Sequence, residues 1–310
     1  MNGIGKIAIA GLGAVGSAYM SKVYDSLGPA RMSVVASGGR ALRIREGVVV
    51  NGKKYFFPVA EPDGGTGPAD LLIFTVKSYQ LEDAIRDARC QISADTIIMS
   101  LLNGVTSEVI IEREYGVNPL YSLAIGMDAT RLGEATVYTT LGAIQFGEAT
   151  NDEGNYSRRV AMVRDFFESA GIPYEIPRDM KWALWKKFMM NVGINQTSAI
   201  LRFTYGALRD SSEACLVIRK AMEEAAAVAR CEGITLTEDD VRDAFTRVAG
   251  MSPEGLTSMA QDVLAKRKTE VGLFGATVAE LGRVHGIPTP VNELMCSLIL
   301  AIENSYGTAD

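Results

Sequence analysis

The sequence predicts an α/β domain built on a parallel sheet, followed by an all-α domain. Three observations predict it. Through the first half of the 310 residues, short β-branched runs alternate with helical stretches, the pattern of parallel strands joined by crossovers. A glycine-rich string, Gly11-Leu12-Gly13-Ala14-Val15-Gly16, sits at the first strand-to-helix junction. From Trp182 to Ala301 the texture turns almost wholly helical.

Taken in order, Lys6–Ala10, Met32–Ala36, Leu71–Val76, Thr96–Leu101 and Leu120–Ile125 read as strands, with helices at Ala14–Leu27 and Gln80–Ala88. Val48–Val50 and Lys54–Val59 flank Asn51-Gly52, the dipeptide of a tight hairpin turn. Val137–Phe146 reads as one further strand and Val160–Ser169 as a helix, before Pro173–Pro177. Beyond lie the helical patterns Ser212–Glu232, Glu238–Val248 and Leu256–Val284. The texture changes near Pro177–Met180, so the expected domains are residues 1–178 and 179–310.

The bulk numbers exclude several classes. A chain 47% hydrophobic and 22% charged is an ordinary globular one, long enough for two cores. Its formal net charge of −6 argues against nucleic acid as the main partner. Cys90, Cys215, Cys231 and Cys296 are scattered without metal-ligand spacing, so no metal is expected and reduced thiols in the cytoplasm are. The apolar run Ile7–Val15 is too short and glycine-rich for a signal peptide or membrane span. A homodimer is left open, because the apolar surface of Ser212–Glu232 serves an internal core equally well.

The string at residues 11–16 gains weight from its setting, since it follows a strand and opens a helix. There the first glycine allows a tight turn, the second lets backbone approach a pyrophosphate, and the third lets helix pack on strand. Leu12, Ala14 and Val15 complete the loop, whose helix N-terminus favours anions. An acid at the end of the second strand would accept the ribose hydroxyl of NAD. Here Val35-Ala36-Ser37-Gly38-Gly39-Arg40 has none before Glu46. Arg40, helped by Ser37 and with Arg43 nearby, suits a 2′-phosphate instead, so NADP(H) is the expected cofactor. Lys77, in Thr75-Val76-Lys77-Ser78-Tyr79-Gln80, and Asn103, in Leu101-Leu102-Asn103-Gly104, follow strands. Ligands of open α/β sheets bind beyond such strand ends.

Reducing a ketone needs a proton donor beside the hydride donor. The single histidine, His285, lies at an expected helix C-terminus before Gly286 and reads as structural. Lys187, Asn191 and Asn195 recur every four residues on one predicted helix, drifting only about 40° per step. A cation with two amides in an apolar segment suits a small carbonyl or carboxylate. Desolvation would lower the lysine's pKa from about 10.4 and ease proton donation. Lys187, not Lys186, shares that face. Downstream, Ser258, Asp262 and Glu270 are spaced to face one direction on the expected Leu256–Val284 helix, the spacing of many solvated faces.

These residues together resemble the ketopantoate reductase (2-dehydropantoate 2-reductase) family over nearly the whole chain. The resemblance rests on Gly11-x-Gly13-x-x-Gly16, Val76-Lys77-x-x-Gln80, Asn103-Gly104, Leu184-Trp185-x-Lys187-x-x-x-Asn191-x-x-x-Asn195, Ser258-Met259-x-Gln261-Asp262, Thr269-Glu270 and His285-Gly286-Ile287-x-Thr289-Pro290. It implies a fold class of α/β N-terminal Rossmann-type dinucleotide-binding domain plus all-α C-terminal domain.

It further implies NADPH-dependent reduction of ketopantoate to pantoate, a step towards pantothenate and coenzyme A, with hydride to C2 of a 2-keto acid. By position, Lys187 matches the general acid and Glu270 the essential carboxylate. Asn191, Asn195 and Ser258 match substrate-binding groups, and Lys77 and Asn103 the nicotinamide and substrate side. The chain departs from the family at Ser37, where arginine is common, and at Gly272 and Gly275, where Asp and Asn are common. The last two bear on which keto acid is bound. The alternatives are a relative acting on another branched 2-keto acid, or a non-catalytic NADPH-binding sensor.

Overall fold

A computed structural model describes residues 3–64 and 67–307. The chain divides into two compact units, one up to Lys181 and one from Trp182. The first contains strands and helices in the order β1 (Ile7–Ala10), α1 (Ala14–Leu27), β2 (Met32–Val35), α2 (Gly38–Glu46), β3 (Val48–Val50), β4 (Lys53–Tyr55), β5 (Val59–Ala60) and β6 (Leu71–Phe74). It continues with α3 (Leu81–Ala88), β7 (Ile97–Ser100), α4 (Ser107–Tyr115), β8 (Tyr121–Ile125), β9 (Asp128–Leu132), β10 (Ala135–Thr140), β11 (Ala143–Gly147), α5 (Arg158–Ala170) and β12 (Tyr174–Glu175).

Its main sheet has the order β5-β2-β1-β6-β7 and is parallel throughout. Ile7 pairs with Met32 on one side and Leu71 on the other, and Leu71 pairs with Ile97. Every residue of β1, β2, β6 and β7 is buried. That explains the unbroken apolar runs, because both faces of a parallel sheet are covered. Ile7, Ile9, Val34, Leu71 and Ile73 pack in the cluster that holds Tyr19, Met20 and Val23 of α1 and Val163 and Phe167 of α5. Ala8, Ala10, Leu72, Phe74 and Ile98 pack with Leu81 and Ile85 of α3 and Ile111 of α4. This is a Rossmann-type domain.

Two expected strands are each divided. The stretch Lys54–Val59 becomes β4 of the hairpin and then β5, an edge strand of the main sheet. Pro58 lies between them and has no N–H to continue a ladder. The hairpin turn itself is as expected, with Asn51 and Gly52 at φ 47 and 78, the left-handed pair of a type I′ turn. The stretch Val137–Phe146 becomes β10 and β11, which belong to two further sheets, β4-β3-β10-β9 and β12-β11-β8. Gly142 between them takes φ 65 and turns the chain.

The second unit is helical: α6 (Met180–Leu201, its first two residues belonging to the first unit), α7 (Tyr205–Asp210), α8 (Ser212–Cys231), α9 (Glu238–Ala249), α10 (Ser258–Leu264), α11 (Gly275–His285) and α12 (Pro290–Asn304). α6 is buried without interruption from Asn191 to Ala199, as a helix surrounded by others must be. Oxygen-bearing side chains begin its neighbours: Ser211 caps α8, Thr237 caps α9 in a box with Asp240, and Thr257 caps α10.

The expected Leu256–Val284 helix is broken. α10 stops at Leu264, where Lys266 enters the left-handed region at φ 50. Its N–H reaches Val263 O at 3.1 Å and that of Arg267 reaches Asp262 O at 2.8 Å, which is a Schellman stop. A lysine fills the position where glycine usually signals such a stop. No helix among the described residues is long and apolar enough to cross a membrane.

Candidate active site

The loop between β1 and α1 tests what its glycines are for. Gly11 has φ 110, and a Cβ on it would lie 2.9 Å from the Thr75 carbonyl carbon. A Cβ on Gly16 would lie 2.2 Å from Gly11 O. The fold itself demands both. Gly13 is different: its φ is −74, and the nearest atom to an added Cβ is Thr75 O at 4.0 Å. Among the described residues nothing excludes a side chain there, so the space beside Gly13 is open to the close approach of a ligand. α1 opens at Gly13 with no side-chain cap and no acid in its first turn, leaving its N–H groups for an anion. The loop fits a dinucleotide pyrophosphate. Arg131 of β9 donates to Leu12 O at 2.6 Å, bringing a cation to the same loop. Its partner lies 119 residues away, too far for spacing in the sequence to reveal.

At the end of β2, Ser37 occupies the N-cap position of α2 without capping it. Its Oγ donates instead to Asp87 Oδ2 of α3, at 3.0 Å. Arg40 stands in the first turn of α2, exposed, with no ion-pair partner among the described residues.

Lys77 and Asn103 both follow strands of the main sheet, β6 and β7, and both are half-buried. The Lys77 N–H donates to Gln80 Oε1 at 3.4 Å, across a single 3₁₀ turn. The turn carrying Asn103 is tied down from beneath. Ser122 Oγ donates to Ser100 O at 2.8 Å, Ser100 Oγ to Ser107 Oγ at 2.8 Å, and Ser107 Oγ to Glu108 Oε2 at 3.0 Å. Burial pushes the Glu108 carboxyl up to about 7, against the hydrogen bonds that favour its charge. Sequence reasoning missed Glu108, since one acid at the start of a helix reads as a dipole partner.

In the helical unit, Lys187, Asn191 and Asn195 do lie on one helix, α6, as their spacing predicts. Both asparagines are buried and Lys187 is half-buried. Desolvation lowers the Lys187 pKa to about 8, with the Glu270 carboxylate acting against that fall. Glu270 is itself buried, at the start of a 3₁₀ turn over Val271–Leu273. The preceding residue is pinned from α12, where Glu303 Oε1 accepts the Thr269 N–H at 2.7 Å. Lys186 is committed elsewhere: its Nζ meets Asp243 Oδ2 at 2.7 Å and Asp240 Oδ1 at 3.0 Å. His285 ends α11 before Gly286 at φ 68, with its Nε2 2.5 Å from Glu232 Oε1.

The shared face expected for Ser258, Asp262 and Glu270 does not form, because the stop at Lys266 separates Glu270 from α10. Ser258 is exposed in the first turn of α10, while Asp262 is buried and takes Arg267 Nε at 2.9 Å. The two departures also separate. Gly272 is exposed, with no atom within 4 Å of an added Cβ. A Cβ on Gly275 would lie 2.3 Å from Gln196 Oε1 of α6, so that glycine serves helix packing.

The sheet, its glycine loop and the separate helical unit define a Rossmann-type dinucleotide-binding protein with an all-α second domain. The model of the ketopantoate reductase PanE/ApbA family matches residues 7–151, and that of its C-terminal region matches 179–303. A 2-dehydropantoate 2-reductase of Vibrio cholerae is 29% identical over 242 residues, 78% of this chain and 80% of that one. The solved structure of a PanE/ApbA family ketopantoate reductase from Ralstonia eutropha is similar with a TM-score of 0.83 at 25% identity, covering 97% of this chain and 99% of its own. A D-mandelate dehydrogenase solved with NADH and anilino(oxo)acetate shares the fold, with a TM-score of 0.84 at 24% identity over 97% of this chain and 99% of that one. The chain belongs to the ketopantoate reductase family. It is an oxidoreductase of that family, dependent on a dinucleotide.

Proposed function

We propose that this protein reduces ketopantoate to pantoate with NADPH, supplying pantothenate and coenzyme A synthesis in the cytoplasm. One observation carries the reading: a lysine whose pKa is lowered to about 8 beside a buried glutamate, on a helix that also carries Asn191 and Asn195. A lysine so poised holds its proton near neutral pH yet releases it more readily than an exposed one. Lys187 gives that proton to the ketone oxygen as it becomes a hydroxyl. Glu270 keeps the ammonium form populated and accepts a hydrogen bond from a substrate hydroxyl. The asparagine amides hold polar substrate groups without adding charge, and Ser258 joins them from the first turn of α10.

NADPH bound at the glycine loop supplies the hydride to C2. Gly11, Leu12, Gly13, Ala14, Val15 and Gly16 form the pyrophosphate cradle. Arg40 stands where the 2′-phosphate belongs, with Ser37 at the same turn, and Lys77 and Asn103 line the nicotinamide and substrate side. The second reading, another branched or bulkier 2-keto acid, rests on Gly272, which has no side chain where the family commonly carries Asp.

The test is NADPH oxidation with ketopantoate, beside a panel of other 2-keto acids and an NADH control. Efficient turnover of ketopantoate is the expected result. Preference for another keto acid would favour the second reading. Tight NADPH binding without any turnover would mean a sensor and overturn the catalytic reading.

A further inference from the structure

An acid does reach the end of β2, although the sequence there has none. Asp87 comes from α3, and its Oδ2 accepts the hydroxyl of Ser37 at 3.0 Å, across 50 residues of chain. Ser37 is the second residue after β2, the place where dinucleotide-binding domains meet the adenosine ribose. Ser37 has one proton to donate, and Asp87 takes it, so the serine has none to give to a phosphate. Arg40 stands exposed three residues further on, at the start of α2, where the helix N-terminus also favours an anion. A carboxylate bonded to Ser37 and a guanidinium three residues further on therefore both stand at the turn where a 2′-phosphate would be read.

We propose that Asp87 is a cofactor-specificity residue. It accepts the ribose 2′-hydroxyl of NADH and repels the 2′-phosphate of NADPH, opposing Arg40. The chain then binds both cofactors with a narrow preference, set by the balance between the two side chains. This rests on the dinucleotide reading of the glycine loop.

The experiment measures NADH and NADPH dissociation constants by nicotinamide fluorescence on the full chain, for wild type, Asp87→Asn, Asp87→Ala and Arg40→Ala. A carboxylate facing a phosphate through solvent-exposed space changes affinity by on the order of tenfold, and added salt screens the effect. Asp87→Asn should shift the NADPH-over-NADH affinity ratio about tenfold towards NADPH, with Asp87→Ala shifting it in the same direction. Arg40→Ala should shift it the other way. Asp87 lies on a partly exposed helix surface, and Asp87→Ala provides an independent check on any folding defect in Asp87→Asn. An unchanged ratio in folded Asp87 variants that still bind both cofactors overturns the role of Asp87 and leaves the dinucleotide reading intact. Wild type that binds neither cofactor overturns both.

Discussion

Methionine in place of Lys187 should make this protein more stable at neutral pH. The lysine pKa falls from 10.5 to about 8 because its ammonium is desolvated on α6, and that net fall already contains the attraction of Glu270. At roughly 1.4 kcal/mol per pH unit the fall corresponds to about 3 kcal/mol. Lys187 keeps part of its surface open, and solvent screening reduces the figure to roughly 1–2 kcal/mol. The sign follows from proton linkage. A base with a depressed folded-state pKa carries its full cost below that pKa, here below about pH 8. Between about 8 and 10.5 the unfolded chain holds more protons than the folded one, so stability rises with pH and the cost disappears. Urea unfolding of wild type and Lys187→Met at pH 7 and at pH 10.5 measures it. The variant's advantage should be larger at pH 7 than at pH 10.5 by that 1–2 kcal/mol. A gap that is independent of pH, or that favours wild type at pH 7, would mean that the buried ammonium of Lys187 carries no such cost.

Other outcomes follow from the same geometry. Glu108 is the opposite case, an acid raised from 4.5 to about 7 by burial. Its cost is absent below about pH 4.5 and complete above about pH 7, so Glu108→Gln should raise the melting temperature at pH 8 and leave it unchanged at pH 4. Gly13→Ala should fold normally by circular dichroism yet bind NADPH at least tenfold more weakly, because its Cβ fills only ligand space. Gly16→Ala should lose the fold of the first unit as well, since its Cβ would lie 2.2 Å from Gly11 O. Lys266→Gly should raise stability by about 1 kcal/mol in urea unfolding, by relieving a left-handed residue at the end of α10.

Local patterns carried most of the fold into the sequence. The buried strands read as apolar runs, the glycine string lay where a strand meets a helix, and the spacing of Lys187, Asn191 and Asn195 required no tertiary information. The misreadings share one cause, a local break inside an otherwise continuous pattern. Lys266 stops α10 in a conformation usually marked by glycine, and so Glu270 left the face assigned to it. Pro58 did advertise the break between β4 and β5, but the β-branched and aromatic residues around it outweighed it. Sites assembled across distant segments stayed hidden. Asp87 beside Ser37, Arg131 at Leu12 and Glu270 in the field of Lys187 all depend on how separate elements meet. The family resemblance named Glu270, but spacing alone would have put it on the wrong helix.

The proposed chemistry turns on the proton that Lys187 gives. Turnover of NADPH with ketopantoate is compared for wild type and Lys187→Ala, with NADPH binding measured on the same samples. NADPH affinity should be unchanged and kcat lower by about 10²–10⁴. Turnover within a few-fold of wild type would remove Lys187 from the chemistry and contradict the account.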